Sequence, residues 1–221
     1  MKRFVIVAGN IGVGKSSLVN LLCQRLNWHP FYEAVVENPY LADFYRDMGH
    51  WGFHSQVFFL ANRLHTHQQI AAHPASVIQD RSVYEDAEIF AHNLYEQGRM
   101  AERDYATYRR LYEGIIDCLP PPDLVLYLRA SVETLSRRIA RRGRDYEARI
   151  VPEYLEQLNG LYQRWIDGFR LCPVLSIPAD ALDFVAHDTH LDLIARKMLE
   201  KLEGREEVVF SDADVRQANG H

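Results

Sequence analysis

The sequence of 221 residues predicts an α/β fold with a central, largely parallel sheet flanked by helices. Short apolar runs rich in β-branched residues alternate along the chain with longer segments whose apolar residues recur every three or four positions. Apolar runs without polar interruption are typical of strands that are buried on both faces of a parallel sheet. The longest of these runs span five residues, whereas a membrane-spanning helix needs about 20.

Composition and charge narrow the class of protein further. Hydrophobic residues make up 48% of the chain and charged residues 25%, as in ordinary globular domains. The 25 Lys and Arg residues against 30 Asp and Glu residues give a net charge of −5, so no basic excess indicates a nucleic-acid partner. The widely spaced cysteines form neither a zinc pattern nor a disulfide framework, and the N-terminus lacks a signal-peptide pattern. We therefore expect a cytoplasmic protein that binds neither membranes nor nucleic acids.

The individual elements follow from these patterns in chain order. Strands are predicted at residues 4–8, 76–79, 124–128 and 174–177, and helices at residues 15–26, 54–72, 84–97, 102–119, 132–142, 153–169 and 188–202. The helix at 153–169 has the most regular apolar stripe, and Pro152 stands where a first-turn proline is tolerated. Residues 1–204 are interpreted as one domain, and the polar segment 205–221 as a mobile tail.

A glycine-rich motif lies between the first predicted strand and the first predicted helix. Residues 9–16, GNIGVGKS, match the phosphate-loop pattern G-x-x-x-x-G-K-[ST]. In such a loop the backbone N–H groups at the helix N-terminus surround phosphate oxygens, Lys15 can reach the β- and γ-phosphates, and the Ser16 hydroxyl can ligate Mg²⁺. A chance match is expected in roughly one chain of this length in a hundred. The motif therefore predicts nucleotide binding.

The motif alone leaves three classes of protein open: a small-molecule kinase, a GTPase-like switch, and a motor or DNA-directed ATPase. The guanine-reading pattern N-K-x-D is absent from the sequence, which argues against the switch. A motor usually needs a longer chain and a more basic surface. A single domain of this size favours a kinase.

Two acidic sites follow apolar stretches, where the ligand crevice of a parallel sheet lies. Glu37, which precedes Asn38 and Pro39, could take a proton from an attacking hydroxyl, although an acid at a helix start explains it as well. Asp80 could hold Mg²⁺ through water, and Arg81 could bridge the acceptor oxygen and the phosphoryl group. A structural ion pair is the alternative for these last two residues.

A basic segment and a polar helix face complete the candidates. Arg138 and Arg142 are four apart and share a helix face, and Gly143 ends that helix so that the following residues can form a lid over the phosphates. The alternative is a solvated or RNA-binding helix, which the acidic overall charge makes less favourable. Gln56 and Arg63, seven apart, also share a helix face, but this spacing alone does not identify a base-reading pair.

Taken together, these stretches resemble the deoxyribonucleoside kinase family, in particular its bacterial deoxyadenosine, deoxyguanosine and deoxycytidine kinases. The resemblance is carried by residues 9–17, 37–39, 80–90 and 138–147, continues through 152–155, and runs in family order from about residue 3 to 202. It implies a P-loop kinase fold with an arginine-rich lid, ATP with Mg²⁺ as the phosphate donor, and a homodimer.

The resemblance also implies individual roles. Glu37 matches the base that accepts the 5′-hydroxyl proton, and Arg81 matches the residue that positions this hydroxyl and the phosphoryl group, with Lys15 beside them. The implied ATP-binding residues are Gly9, Asn10, Ile11, Gly12, Val13, Gly14, Lys15, Ser16, Ser17 and the lid residues Arg138, Arg142 and Arg144. The implied substrate-binding residues are Glu37 and Arg81, Tyr45 and Glu147 at the sugar 3′-hydroxyl, Gln56, Arg63 and Asp86 at the base, and Phe90 stacked on it. Ser16 and Asp80 would serve the metal.

The expected reaction is phosphorylation of a deoxynucleoside at its 5′-hydroxyl, in nucleotide salvage. Arg63 with Asp86 suits a base with an exocyclic amine next to a ring nitrogen, which favours adenine, cytosine or, with rearrangement, guanine over thymine. Deoxyadenosine is ranked first, ahead of deoxyguanosine and deoxycytidine. Asp80 and Asn38 depart from the mammalian members, which have Glu and Pro there. A thymidylate-type nucleoside monophosphate kinase and a non-catalytic nucleotide-binding protein are the alternatives.

Overall fold

The structure is a computed structural model that describes residues 2–32, 38–144, 147, 150–205 and 208–220. Within these residues, five strands form one parallel sheet. The strands are β1 (Phe4–Gly9), β2 (His29–Phe31), β3 (Val77–Asp80), β4 (Leu124–Arg129) and β5 (Val174–Pro178). Their order across the sheet is β2-β3-β1-β4-β5. The predicted α/β fold with a parallel sheet is confirmed.

Helices flank this sheet. In chain order they are α1 (Lys15–Leu26), α2 (Leu41–Arg46), α3 (Met48–Ala72), α4 (Val83–Glu85), α5 (His92–Glu96), α6 (Glu102–Ile116), α7 (Val132–Arg142), α8 (Pro152–Gly168), α9 (Asp188–Leu202) and α10 (Asp212–Ala218). A π-helical segment, Asp86–Ala91, joins α4 to α5, so the predicted helix at 84–97 is one helical run with a widened middle. None of the described helices combines the length and the apolar character needed to cross a membrane.

The side chains of β1 divide between two cores, which explains its uninterrupted apolar run. Val5 and Val7 pack with residues of α1 and α9, whereas Phe4, Ile6 and Ala8 pack with residues of α3 and α6. Each is buried, and burying a Val or Ile side chain stabilises the fold by about 1.5–3 kcal/mol. Both faces of the strand are therefore used.

The C-terminal segment differs from the expected mobile tail. Val208 is buried in the core beside α9, and Phe210 and Val215 pack against the same core. The Nζ atom of Lys197 on α9 lies 3.0 Å from a carboxylate oxygen of Asp214 on α10. The expectation fails because a few apolar side chains, widely spaced in a polar segment, suffice to hold a short helix against α9.

The buried His67 on α3 makes stability depend on pH. Its Nε2–H donates to the Pro120 carbonyl oxygen at 2.8 Å, and its ring packs edge-on against Phe4. Burial lowers the pKa of His67 below its ordinary value of about 6.5, so the folded protein holds the neutral ring. Stability from this neutral ring is complete above the unfolded pKa and is lost as pH falls through the folded pKa.

We expect the free energy of unfolding to fall between about pH 7.5 and pH 5.5, and His67→Gln to reduce that slope. Urea unfolding at a series of pH values measures this dependence of the free energy of unfolding on pH. His65→Gln, an exposed histidine on the same helix, is the matched control and should keep the slope. An unchanged slope in His67→Gln would assign the pH dependence to other groups.

Candidate active site

The phosphate loop turns sharply between β1 and α1. Gly9, Gly12 and Gly14 have φ angles of 144°, 80° and 107°, which side chains rarely adopt. A Cβ atom on Gly9 would lie 2.6 Å from the Leu128 carbonyl oxygen. The Lys15 Nζ atom donates to the carbonyl oxygens of Gly9 at 2.7 Å and Asn10 at 3.0 Å, so the lysine folds back over the loop.

The pairing of β1 with β3 brings the acidic site next to this loop. Val7 is paired with Asp80, and the Arg81 N–H donates to the Val7 carbonyl oxygen at 3.1 Å. The Ser16 hydroxyl donates to the carboxylate of Asp80. The other carboxylate oxygen of Asp80 is buried without a hydrogen-bond partner among the described residues. Ser16 and Asp80, the two predicted metal-binding residues, are therefore in direct contact.

Arg81 has a strained backbone at the end of β3. Its φ of 63° is in the left-handed region, and such a residue costs about 1–3 kcal/mol unless its surroundings hold it. Ser82 follows as the N-cap of α4, and its hydroxyl accepts from the Glu85 N–H. The Arg81 guanidinium stacks over the Phe90 ring, 4.4 Å from its centroid. The turn thereby aims a fixed cation at the space beside the phosphate loop.

A buried carboxylate, Glu85, links this turn to the phosphate loop. Its Oε1 accepts from the Gly9 N–H at 3.2 Å and from the Tyr162 hydroxyl at 2.9 Å. Its Oε2 accepts from the Ser82 N–H at 2.9 Å and from the Ser82 hydroxyl at 3.2 Å. Burial raises the pKa of Glu85, opposed by the charges of Arg81 and Lys15 and by hydrogen bonds from Tyr162 and Gly9.

A cavity of about 290 Å³ lies between the sheet edge and α3. Its apolar wall includes Leu41, Phe44, Phe59, Phe90 and Leu94, and its polar lining includes Tyr45, Gln56, Asp86, Glu147 and Tyr154. One end opens onto Lys15, Ser16, Asp80 and Arg81. An apolar slot with a few polar side chains, ending at a phosphate loop, suits a small planar molecule that carries a reacting group.

The polar lining of this cavity includes Asp86, which is held by a residue outside the cavity. Asp86 forms a buried ion pair with Arg63, whose Nε atom lies 2.9 Å from the carboxylate. Arg63 thus acts on the cavity through Asp86. The side-chain oxygen of Gln56 is buried and has no hydrogen-bond partner among the described residues. Burial raises the pKa of Tyr154 to about 12, so its hydroxyl keeps its proton at neutral pH.

The basic helix α7 ends over both the cavity and the phosphate loop. Arg142 contacts both carboxylate oxygens of Glu147, at 3.0 and 2.6 Å, and Arg144 lies 3.5 Å from the same carboxylate. Arg138 instead donates to the carbonyl oxygens of Val13 at 2.8 Å and Ala179 at 2.9 Å. Arg138 therefore anchors the helix, while Arg142 and Arg144 pair with Glu147 in the lining of the cavity.

A second cavity, of about 690 Å³, lies on the other side of these arginines. It is lined by residues 12–17 of the phosphate loop and α1, by Arg137, Arg138, Arg141, Arg142 and Arg144, and by residues 183–186 after β5. Arg142 and Arg144 line both cavities. Gly12, Lys15 and Ser16 of the phosphate loop also line both cavities, so the two cavities meet at this loop.

Comparison with known proteins identifies the family. A family model described as deoxynucleoside kinase matches residues 5–203. The chain belongs to the deoxynucleoside kinase family. It is 38% identical over 192 residues to a deoxyadenosine/deoxycytidine kinase of Bacillus subtilis, covering 86% of this chain and 88% of that protein. It is 33% identical over 207 residues to a deoxyguanosine kinase of Lactobacillus acidophilus, covering 90% of each.

A solved structure agrees with this assignment. The deoxyadenosine kinase of M. mycoides, with dCMP and a flexible dCDP bound, matches with a TM-score of 0.80 and 31% identity. The match covers 89% of this chain and 99% of that one. The resemblance found in the sequence, with its P-loop kinase fold, is confirmed.

The structure brings most of the predicted site residues together. Members that line the first cavity are Ile11, Gly12, Lys15, Ser16, Tyr45, Gln56, Asp80, Arg81, Asp86, Phe90, Arg142, Arg144 and Glu147. Val13, Gly14, Ser17 and Arg138 line the second. Gly9 and Asn10, at the start of the loop, line neither cavity, and the Asn10 side chain donates to the Leu155 carbonyl oxygen at 2.9 Å. Glu37 lies outside the described residues, so its place as the base stays a prediction.

The sequence analysis did not identify several residues that line the two cavities, nor Glu85. Phe59 and Tyr154 line the first cavity, and residues 183–186 line the second. Nothing in their local sequence separates them from ordinary core or loop residues. Glu85 is different, because Ser82-x-x-Glu85 is a capping-box pattern that can be read directly from the sequence.

Proposed function

We propose that this protein transfers the γ-phosphoryl group of ATP to the 5′-hydroxyl of a deoxynucleoside and releases the 5′-monophosphate and ADP. The observation that carries the proposal is the first cavity, of about 290 Å³, which we call the acceptor cavity. It runs from Gln56 and Asp86 to Lys15 and Arg81. A nucleoside with its base at the first pair presents its sugar hydroxyl to the second. Family membership supports the same reaction.

The chain's own residues supply positioning and charge. Arg81 is held in place by its backbone turn and by Phe90, so it can contact the 5′-oxygen and the phosphoryl group with little reorganisation. Lys15 and the lid residues Arg142 and Arg144 would neutralise charge on the phosphates. Binding of both substrates across one opening makes the transfer effectively intramolecular.

The residues also fit a magnesium ion that enters with ATP. The Ser16 hydroxyl and the Asp80 carboxylate are oxygen donors, which Mg²⁺ prefers. The unpartnered oxygen of Asp80 is free of hydrogen bonds from the described residues, so it can hold an Mg²⁺-bound water. When bound, the ion would neutralise charge on the β- and γ-phosphates.

The base-reading groups favour a base that carries an amine. Arg63 is paired with the Asp86 carboxylate, and a carboxylate accepts a hydrogen bond from an exocyclic amine. The unpartnered oxygen of Gln56 can accept a second one, and its amide can donate to a ring nitrogen. Adenine and cytosine both offer this pattern, and guanine offers part of it. Thymine would place a carbonyl oxygen before acceptors, which leaves buried polar groups unpaired.

A panel of acceptors tests the proposal. With ATP and Mg²⁺, we expect ADP release with deoxyadenosine to exceed that with deoxyguanosine and deoxycytidine, and thymidine to react least. Detection of dAMP as the product checks the position of transfer. A preference for dAMP or dTMP as acceptors would favour a nucleoside monophosphate kinase. ATP binding without ADP release in any mixture would indicate a non-catalytic protein.

We propose Glu37 as the base that accepts the 5′-hydroxyl proton. The neighbouring Asn38 is buried, and its amide donates to the Ser55 hydroxyl at 3.0 Å, one residue before Gln56. A second candidate is Glu33, which follows Tyr32 in the sequence. Tyr32 lines the acceptor cavity, whose phosphate end is formed by Lys15 and Ser16.

Glu37→Gln should lower kcat by ~10²–10⁴, because a neutral amide cannot accept the proton. Glu33→Gln is the matched variant, with the same change of charge four residues earlier. Single-turnover rates at saturating substrates measure both variants. Normal turnover in Glu37→Gln with a large loss in Glu33→Gln would transfer the role to Glu33.

We further propose a homodimer joined through α3 and α6. Phe58 is half-buried and Ala61 exposed on α3, and Leu111 on α6 is 45% exposed. A second copy could cover these apolar side chains. Light scattering should then give twice the mass of one chain, whereas the mass of a single chain would contradict the dimer.

The cytoplasmic location stays a prediction of the sequence.

A further inference from the structure

We propose that Glu85 is a positioning residue that fixes the phosphate loop and Arg81 relative to each other. The inference rests on the proposed phosphoryl transfer. Glu85 lines neither of the two cavities, and it acts through Gly9 on the donor side and through Ser82 on the acceptor side.

On the donor side, Glu85 holds the first residue of the phosphate loop. The Gly9 N–H, at the end of β1, donates to Oε1 at 3.2 Å, and Tyr162 of α8 donates to the same oxygen at 2.9 Å. Gly9 has a φ of 144°, so its N–H direction is set where the chain leaves the strand. Glu85 thus fixes the point at which the loop begins.

On the acceptor side, Glu85 holds the residue that follows Arg81. The N–H and the hydroxyl of Ser82 both donate to Oε2, at 2.9 and 3.2 Å. Arg81 lies between this contact and its own N–H bond to the Val7 carbonyl oxygen. Its left-handed backbone is therefore held from both sides, and the direction of its guanidinium follows.

The burial of Glu85 exceeds what a helix cap needs. A capping-box glutamate usually lies at the surface, whereas Glu85 is completely buried. Burying a carboxylate is costly, and well-packed apolar residues often stabilise a protein as well or better. The cations that act on Glu85 are Lys15 and Arg81. Their positive charges act against the effect of burial, and the four hydrogen bonds from Gly9, Tyr162 and Ser82 hold both carboxylate oxygens in place.

A second set of contacts attaches the loop to α8 without involving charge. The Asn10 amide donates to the Leu155 carbonyl oxygen at 2.9 Å and to the Asn159 side chain at 2.8 Å. Because this attachment would survive a change at Glu85, we expect such a variant to fold with its phosphate loop still against α8. The defect should be confined to the relation between the loop and Arg81.

Glu85→Gln tests the proposal, because it keeps the shape but removes the charge. Its amide group would face either Gly9 or Ser82, where donors already lie, so one pair of contacts is lost. We expect the single-turnover rate at saturating ATP and deoxyadenosine to fall about 10–100-fold, and ATP affinity about 3–10-fold. Affinity for deoxyadenosine should change less than about twofold, since Gln56, Arg63 and Asp86 are untouched.

The control is Glu88→Gln, which neutralises a carboxylate three residues later. Glu88 is one-third exposed and pairs with Arg109 at 2.7 Å, away from both cavities. Glu88→Gln should keep the wild-type rate. A Glu85→Gln rate within about threefold of wild type, at saturating substrates, would overturn the proposal whatever happens to ATP affinity.

Two further measurements keep the outcome decisive. If thermal melting shows that Glu85→Gln does not fold, Ser82→Ala replaces it: a lower rate with unchanged ATP affinity supports the proposal, and an unchanged rate overturns it. If the wild-type protein phosphorylates no deoxynucleoside, the proposed function fails. The ATP titration of Glu85→Gln then decides the role of Glu85, because the hydrogen bond from Gly9 to Glu85 does not depend on a bound nucleoside. An unchanged affinity for ATP would overturn that role.

Discussion

The parallel pairing of β1 with β3 is the constraint on which the site depends. Because both strands run in the same direction and Val7 is paired with Asp80, their carboxyl ends leave the sheet side by side. The phosphate loop follows one strand and Arg81 follows the other, and the Arg81 N–H is tied to the Val7 carbonyl oxygen. The phosphate loop and Arg81 therefore share one edge of the sheet, where ligands of such folds bind.

Charge at this edge is balanced by buried or partly buried carboxylates. The charges of Lys15 and Arg81 act on the buried Glu85, and Glu147 is paired with Arg142 and Arg144. Arginines that are already oriented by such partners need little rearrangement when phosphates arrive, and preorganised charge is usually the largest contribution to phosphoryl transfer.

Local sequence patterns predicted the elements whose structure is determined locally. The apolar run of β1 and the glycine motif at 9–16 needed no tertiary information, and both are found as expected. By contrast, β2 is a strand of three residues that contains Pro30, and it is defined by its pairing with β3 rather than by a pattern. The shared face of Arg138 and Arg142 was readable, but their partners were not, because these come from distant segments. The capping-box pattern of Ser82 and Glu85 was also readable, but the complete burial of Glu85 was not, because it depends on segments that are distant in the sequence.

A crystal structure with a non-hydrolysable ATP analogue and deoxyadenosine tests the central claim most directly. The shared edge of β1 and β3 predicts the base between Gln56 and Phe90, with the 5′-oxygen beside Arg81 and about 3–3.5 Å from the γ-phosphorus. A nucleoside bound instead against residues 183–186, or one whose 5′-oxygen faces away from the phosphate loop, would contradict it.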